Sequence, residues 1–453
     1  MFTKKTARRL IDAAVKYART STIASGVEVA ISQTSSATAR FANSEMTQHL
    51  QGVTGYVAVR ALVGGRTVVQ YGDDYTAAGL RRLINKAVTL AAELKHDART
   101  YHLLKPRTSY TRNPRGVANR YDPRIARITA DDRSLAVQKI IKVAEAHELT
   151  VAGIYAPTTN VYAVGNTNGL YRFHQQSSLE CSVTMVGATS SGWQKTVASS
   201  QDGVDVVSLA EIAARKAIES KSPKAVEPGD YEVVLEPSAV LDLFTFLIGA
   251  FRGDSHCDQS SAFFGKAGKR VLGKNITITD NVYHELQTGQ VFDDEGMTRK
   301  AVTLVKDGVF KQPVKSRRSA AYLGGEPTGH GIGIPGSEND WPVNLVVEGG
   351  DSTVQQMIES TTRGILLPRV WYLRDVDPNT LTVTGMTRDG AMLIENGKLT
   401  RGIKNMRFNV SLLHLFKHVT MLGESIFAAG EEGSPAVVPA MKVEDFRFTS
   451  RTK

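Results

Sequence analysis

Cysteine is almost missing from this chain of 453 residues. Cys181 and Cys257 are the only two, and neither sits in a C-x-x-C pair. That excludes a disulfide scaffold and a zinc ribbon, and it points to a reducing compartment. Long apolar runs are also lacking: no window approaches the roughly 18 continuous apolar residues of a membrane span, so no membrane association is expected. The opening stretch MFTKKTARRLIDAAVKYARTS has no apolar core of the kind a secretory signal needs. Its Leu10, Ile11, Ala14, Val15 and Tyr17 instead interleave with charges, as on an amphipathic first helix. The expected location is the cytoplasm. No fixed-period repeat and no low-complexity tract is visible, while 42% hydrophobic and 22% charged residues match an ordinary globular chain of two or three domains.

Charge is present in excess, at +10 overall, and its distribution matters more than its sum. Between Arg81 and Arg127 twelve Lys and Arg face three acids (Glu93, Asp97 and Asp122), so one segment carries nearly all the surplus. Its later part, residues 95–127, is rich in Pro, Asn and Tyr and reads as a basic connector. A solvated loop, or one covering an acidic partner, is the expectation. A phosphate-binding arm is the sharper alternative, but no helix-turn-helix, zinc finger or RNP-type strand supports it.

Period-two alternation at Val27, Val29 and Ile31, and again at Tyr56, Ala58, Arg60 and Leu62, predicts strands. Gly64-Gly65 offers a two-residue hairpin turn before Thr67 to Tyr71. Leu80, Leu83, Ile84, Ala87, Leu90, Ala91 and Leu94 recur at helical spacing, with Asp73-Asp74 at the amino-terminal end of that helix. A second helix follows the connector, and more strands run from Val151 to about Val207. Pro223, Pro228 and Gly229 then mark a boundary. Beyond it lie one apolar helix, Ala239 to Phe251, and many short strands. The fold class expected is α+β. Residues 1–222 form an amino-terminal layer domain of antiparallel sheet with flanking helices; residues 226–453 form a carboxy-terminal domain of strongly curved, barrel-like antiparallel sheet.

The candidates for chemistry are weak one by one. His414 and His418 stand four apart in a stretch read as helical and could share a metal, but Leu415 occupies the position of the acid that acts as base in H-E-x-x-H. His284-Glu285 opens like the same motif and fails at its second ligand. Gly331, Gly333 and Gly336 satisfy G-x-G-x-x-G literally, but no strand precedes them and Pro335 interrupts the helix that should follow. Asp293, Asp294 and Glu295, followed by Gly296, read as a tight acidic turn rather than a cation site. Ser255-His256-Cys257 sets a nucleophile beside a base, without a nucleophile elbow or a third orienting residue.

Five stretches taken together are more specific. RFANSEMTQ (Arg40 to Gln48), PGDYEVVLEP (Pro228 to Pro237), SAFFGKAGKRV (Ser261 to Val271), FDDEG (Phe292 to Gly296) and DGAMLIENGKL (Asp389 to Leu399) resemble, in this order, the motifs of the TldD/TldE family, whose TldE member is also called PmbA. The resemblance implies a zinc peptidase in TldD-like members, with H-E-x-x-x-H on the helix before the S-A-F stretch. Counting back from Ser261 without gaps places its first His at Phe244, its Glu at Thr245 and its second His at Gly249. None of these can bind zinc or activate a zinc-bound water, and Val240 to Phe251 holds no His and no Glu.

This chain therefore resembles the TldE-like subunit without the metal motif. The resemblance implies a pseudoenzyme with no catalytic residue and no metal of its own. It would pair, as a heterodimer or higher heteromer, with a TldD-like zinc peptidase, and the two would hold an extended or unfolded peptide by strand addition. Surface and loop groups expected to touch that peptide are His256, His330, Arg369, Trp371, Arg374 and Arg388. Two alternatives stand beside this reading: a self-sufficient hydrolase using His256 and Cys257, and a nucleic-acid binder acting through the basic connector.

Overall fold

The computed structural model describes residues 1–95, 102–105, 120–333 and 339–452. Most of the basic connector, together with Pro335 and Gly336, lies outside the described residues.

Helix α1 (Lys4–Ser21) starts at Thr3, whose side chain forms a reciprocal capping box with Thr6, and it buries Ala7, Ile11, Ala14 and Ala18 along one stripe. Strands β1 (Gly26–Ala42) and β2 (Glu45–Val63) form a long hairpin. Its turn residues Asn43 and Ser44 both have positive φ, as a primed two-residue turn requires. Gly64-Gly65 makes the expected turn into β3 (Arg66–Gly72). Helix α2 (Ala77–Glu93) is capped by Thr76, and Asp74 accepts the backbone N–H of Thr76. Helix α3 (Ala130–Ala146), strands β4 (Thr150–Asn166), β5 (Tyr171–Val186) and β6 (Ser191–Ala198), and helix α4 (Val206–Glu219) complete this half.

The six strands form one antiparallel sheet in the order β3-β2-β1-β4-β5-β6. Along β1 the odd-numbered Val27, Val29 and Ile31 pack with residues of α1 and α2, while Ala39 and Phe41 pack with residues of α3 and α4. All four helices thus cover the same face. The opposite face carries Ala30, Ala58, Tyr162 and Val164, which pack against Phe292 of the carboxy-terminal half.

That half begins with β7 (Gly229–Leu235) and α5 (Pro237–Thr245), which has Pro at its start, where a missing N–H costs nothing. The helix expected from Ala239 to Phe251 is shorter: α5 ends at Thr245, a 3-10 turn covers Ile248–Phe251, and α6 (Gly253–Cys257) follows. A 13-stranded sheet builds the rest. Its centre is β7, antiparallel to the long strand Ala436–Arg451 and parallel to Arg363–Leu367. A second parallel pairing joins Leu345–Val347 to Ala436–Arg451. The sheet is therefore mixed and does not close into a barrel among the described residues, while the α+β class holds. Single-chain periodicity cannot show which strands run parallel. A large core of Val233, Leu235, Phe244, Phe251, Phe408, Phe416 and Phe446 lies against this sheet.

The acidic turn at Asp293-Asp294-Glu295 joins the two halves. Asp293 accepts backbone N–H groups of Glu295 and Met297 at 3.0 and 2.9 Å, and that of Gly331 at 3.0 Å. Tyr162 on β4 donates to the Asp294 carbonyl at 2.7 Å. Burial, then the Glu295 charge, holds the Asp293 carboxyl well above its ordinary range.

Candidate functional site

The helix that the family resemblance singles out is packed as core. Phe244 is 1% exposed, and its ring centroid lies 4.2 Å from that of Phe416. Thr245 turns its hydroxyl back to donate to the Leu241 carbonyl at 3.0 Å. Gly249 lies beyond the end of α5, in the 3-10 turn, and a Cβ there would meet nothing within 4 Å. The three positions therefore lie on two separate helical segments, with the first filled by an aromatic pair.

A loop closes over the same helix. Asp242, fully buried on α5, accepts the backbone N–H groups of Glu431, Glu432 and Gly433 at 3.2, 2.9 and 3.3 Å. Burial pushes its carboxyl up to about 6 against the pull of those three donors. Gly433 packs close to α5: a Cβ there would overlap the Thr245 hydroxyl, so a larger residue would have to displace that side chain.

Beside α5 runs a cleft of about 290 Å³ between the two halves. One wall is β6 (Gln194, Lys195, Thr196) and the other is the end of the strand Val419–Ala428 (Ile426, Phe427, Ala428). Leu209 and Ile212 of α4 and the start of α5 at Glu236 to Ser238 complete it. Among the described residues β6 pairs only with β5, and the segment Ile426–Ala428 pairs only with Ala436–Val438. Two sheet edges thus face each other across the gap. Lys195 spans it by donating to the Gly430 carbonyl at 3.0 Å while pairing with Glu180 at 2.9 Å. Lys216 of α4 pairs with Glu236 at 2.7 Å. Gly192 lets β6 approach α4, since a Cβ would overlap the Ala213 carbonyl.

The six residues expected to touch peptide do not form one site. Arg369, Trp371 and Arg388 converge next to this cleft. Arg369 is 4% exposed, lies over Trp193 of β6 at 4.4 Å and Trp371 at 5.1 Å, and pairs with Asp389 at 3.1 Å. Arg388 also lies over Trp371, at 4.6 Å. Burial lowers the Arg369 pKa from its usual value, opposed by Asp389 and Glu431. Arg374 stacks on Tyr372 at 4.3 Å.

His256, His330 and Arg369 are buried rather than surface groups, and the two histidines are bonded inside the fold. His256 stacks on Phe310 with centroids 5.4 Å apart and has its Nε2 3.0 Å from the Ala250 carbonyl; burial lowers its pKa. His330 lies 2.9 Å from Asp280 and 2.9 Å from the Thr328 hydroxyl, with His330 and Asp280 both fully buried. Cys257 follows His256 on α6, where burial first and Asp340 next push its thiol up, away from thiolate chemistry. Lys195, Asp242 and the loop 430–433 escape a reading of the sequence because their roles depend on contacts between residues far apart in the chain.

Among the described residues, no helix is long and apolar enough to cross a membrane. Comparison with known proteins places this architecture. The PmbA/TldA metallopeptidase C-terminal domain matches residues 228–450, and PmbA/TldA metallopeptidase domain 1 matches residues 27–91. A metalloprotease TldD homolog from Haemophilus influenzae is 25% identical over 422 residues, covering 86% of this chain and 85% of that protein. The metalloprotease PmbA of Escherichia coli O157:H7 is 23% identical over 235 residues, covering 51% of this chain and about half (49%) of that protein. TldE from Thermococcus kodakarensis superposes with a TM-score of 0.86 at 18% identity, covering 98% of this chain and 100% of that one. A Thermotoga maritima protein described as a candidate modulator of DNA gyrase superposes with a TM-score of 0.84 at 19% identity and the same coverage. From the two matched domains and the full-length likeness, the chain belongs to the PmbA/TldD family.

Proposed function

We propose that this chain is a TldE-like accessory subunit that holds extended peptides for a TldD-like zinc peptidase and performs no hydrolysis itself. The observation that carries the reading is the packing of α5: Phe244 is locked against Phe416 where a first metal-binding His would stand, and Thr245 is bonded to its own helix. A zinc ion in the partner would supply the Lewis acid and the activated water. In this chain the cleft between β6 and Ile426–Ala428 offers two strand edges to which an extended backbone can add with little sequence preference. Arg369 and Arg388, braced by Trp193 and Trp371, lie at its margin, where Arg388, 45% exposed, meets carboxylates of the peptide. Two free thiols fit a reducing, cytoplasmic setting.

The test is reconstitution with a TldD-like homologue that bears H-E-x-x-x-H, followed by peptidase assay of each chain and of the mixture. A stable complex that cleaves an unstructured peptide, with this chain inert alone, is the expected result. Cleavage by this chain alone would overturn the reading.

A further inference from the structure

Outside the interdomain cleft, one cluster of donor atoms has no role in the reading above. The stretch containing His414 and His418 is helical only from Leu412 to Leu415, so the two histidines do not share a helix face. His418 sits in the turn that leads into the strand Val419–Ala428. That turn nevertheless brings the rings together, with centroids 4.2 Å apart. The acid missing from the local sequence comes from elsewhere. Asp445 lies on the strand Ala436–Arg451, where pairing with β7 shifts register between Val443 and Phe446, and Asp445 itself adopts φ of +56°. This bulge turns its carboxylate outward, with Oδ2 3.9 Å from His414 Nε2. One donor atom from each of the three residues lies within 4.8 Å of the others.

We propose that His414, His418 and Asp445 form a binding site for a divalent transition cation of the zinc class, separate from the family's metal position on α5. Three features favour a metal over a chance surface pair. His418 Nδ1–H donates to the His414 carbonyl at 2.8 Å, which fixes the tautomer and leaves Nε2 with its lone pair free, as in metal-bound imidazoles. Two nitrogens and one carboxylate oxygen are a zinc-type set rather than a calcium or magnesium set. Tetrahedral bonds of about 2.1 Å need donors about 3.4 Å apart. The His414 Nε2–Asp445 Oδ2 separation is 3.9 Å, and both side chains, 54% and 60% exposed, have room to turn toward a shared ion. The fourth coordination position remains for water or a ligand. Asp445 also borders a polar cleft of about 610 Å³ lined by Glu227, Asp230, Glu232, Glu444 and Arg363.

The experiment titrates Zn²⁺ into the untagged full-length chain with a chromophoric chelator as competitor, with Mg²⁺ as the hard-cation control, and follows the imidazole nitrogens by NMR. One zinc per chain, indifferent to Mg²⁺, is expected, with His418 Nε2 among the shifted resonances. His414→Ala/His418→Ala should weaken binding by more than about tenfold and leave the fold and the peptidase activity of a reconstituted pair unchanged. No zinc binding by the wild-type chain, unmoved His414 and His418 resonances, or equal affinity in the double variant would overturn the proposal. Were the double variant unstable, the wild-type NMR titration alone decides. Because this site is independent of α5, its failure leaves the accessory-subunit reading intact, whereas zinc retained by the double variant would count against both.

Discussion

If position 244 is core rather than chemistry, truncating it should cost stability in proportion to the aromatic packing it removes. Phe244 is 1% exposed, packed against Phe416 and surrounded by the large carboxy-terminal core. Phe244→Ala combines lost transfer energy with a cavity, so the expected loss is about 3–5 kcal/mol. For a domain of this size each kcal/mol lowers the melting temperature by about 2–4 °C, so the carboxy-terminal transition should fall by roughly 10 °C. Phe244→His retains part of the volume but buries an imidazole without a partner, and should lose about 2–4 kcal/mol. Gly249 provides the internal control: its φ is not positive and no atom lies near its would-be Cβ, so Gly249→Ala should stay within about 0.5 kcal/mol. Urea titration and calorimetry of the three variants read these differences. A loss below about 1 kcal/mol for Phe244→Ala would refute the claim that the first metal position is occupied by core packing.

Other positions give equally direct expectations. Asp242 is held at about 6 in the fold, above the 3.8 of a free carboxyl, so its contribution is fully present below pH 3.8 and lost as pH rises through 6. Asp242→Asn, which cannot ionise, should gain on the wild type by up to about 3 kcal/mol between pH 4 and 7, offset by a constant cost from facing an amide toward a backbone N–H. Urea midpoints at the two ends of that range would show it, and a pH-independent difference would contradict it. Arg369→Ala should cost about 3–5 kcal/mol because it leaves Asp389 and Trp193 without their buried cation, whereas Arg388→Ala, on a side chain 45% exposed, should cost less than about 1 kcal/mol. Denaturant titration separates the two. Thr196→Trp should fill the cleft between β6 and Ile426–Ala428, reducing peptide affinity of a reconstituted complex by about tenfold with partner binding intact; fluorescence anisotropy with a labelled unstructured peptide reads the change, and unaltered affinity would exclude this cleft as the peptide site.

The elements legible in the sequence are those whose side chains alternate between two environments. The stripe of α1 and the alternation at Val27, Val29 and Ile31 reflect one buried face, and Gly64-Gly65 reflects the positive φ of its turn. The β1–β2 hairpin extends farther than alternation indicates because Gln48 to Tyr56 is exposed throughout and carries no periodic signal; its turn, Asn43-Ser44, uses left-handed residues other than glycine. The acidic turn at Asp293 is readable as a turn, but its docking on Tyr162 is not, because the partner lies 132 residues away. The same kind of separation hides the contact of Arg369 with Trp193 and the pairing of His330 with Asp280. Composition marks an Arg or His as polar and therefore as a surface candidate. Only the fold shows that a carboxylate and two indoles meet it inside. His414 and His418 lack a nearby acid in the sequence, and a bulge at Asp445 supplies one from a different strand.

On the proposed function, this chain is inactive by itself and acts only in a pair. The decisive measurement is hydrolysis of an unstructured peptide by the chain alone, by a TldD-like homologue carrying H-E-x-x-x-H alone, and by the two at equal concentration, each repeated with His414→Ala/His418→Ala. Cleavage only when the homologue is present, accelerated by this chain and unaffected by the double substitution, is the predicted outcome. Cleavage by this chain alone in either form would contradict it.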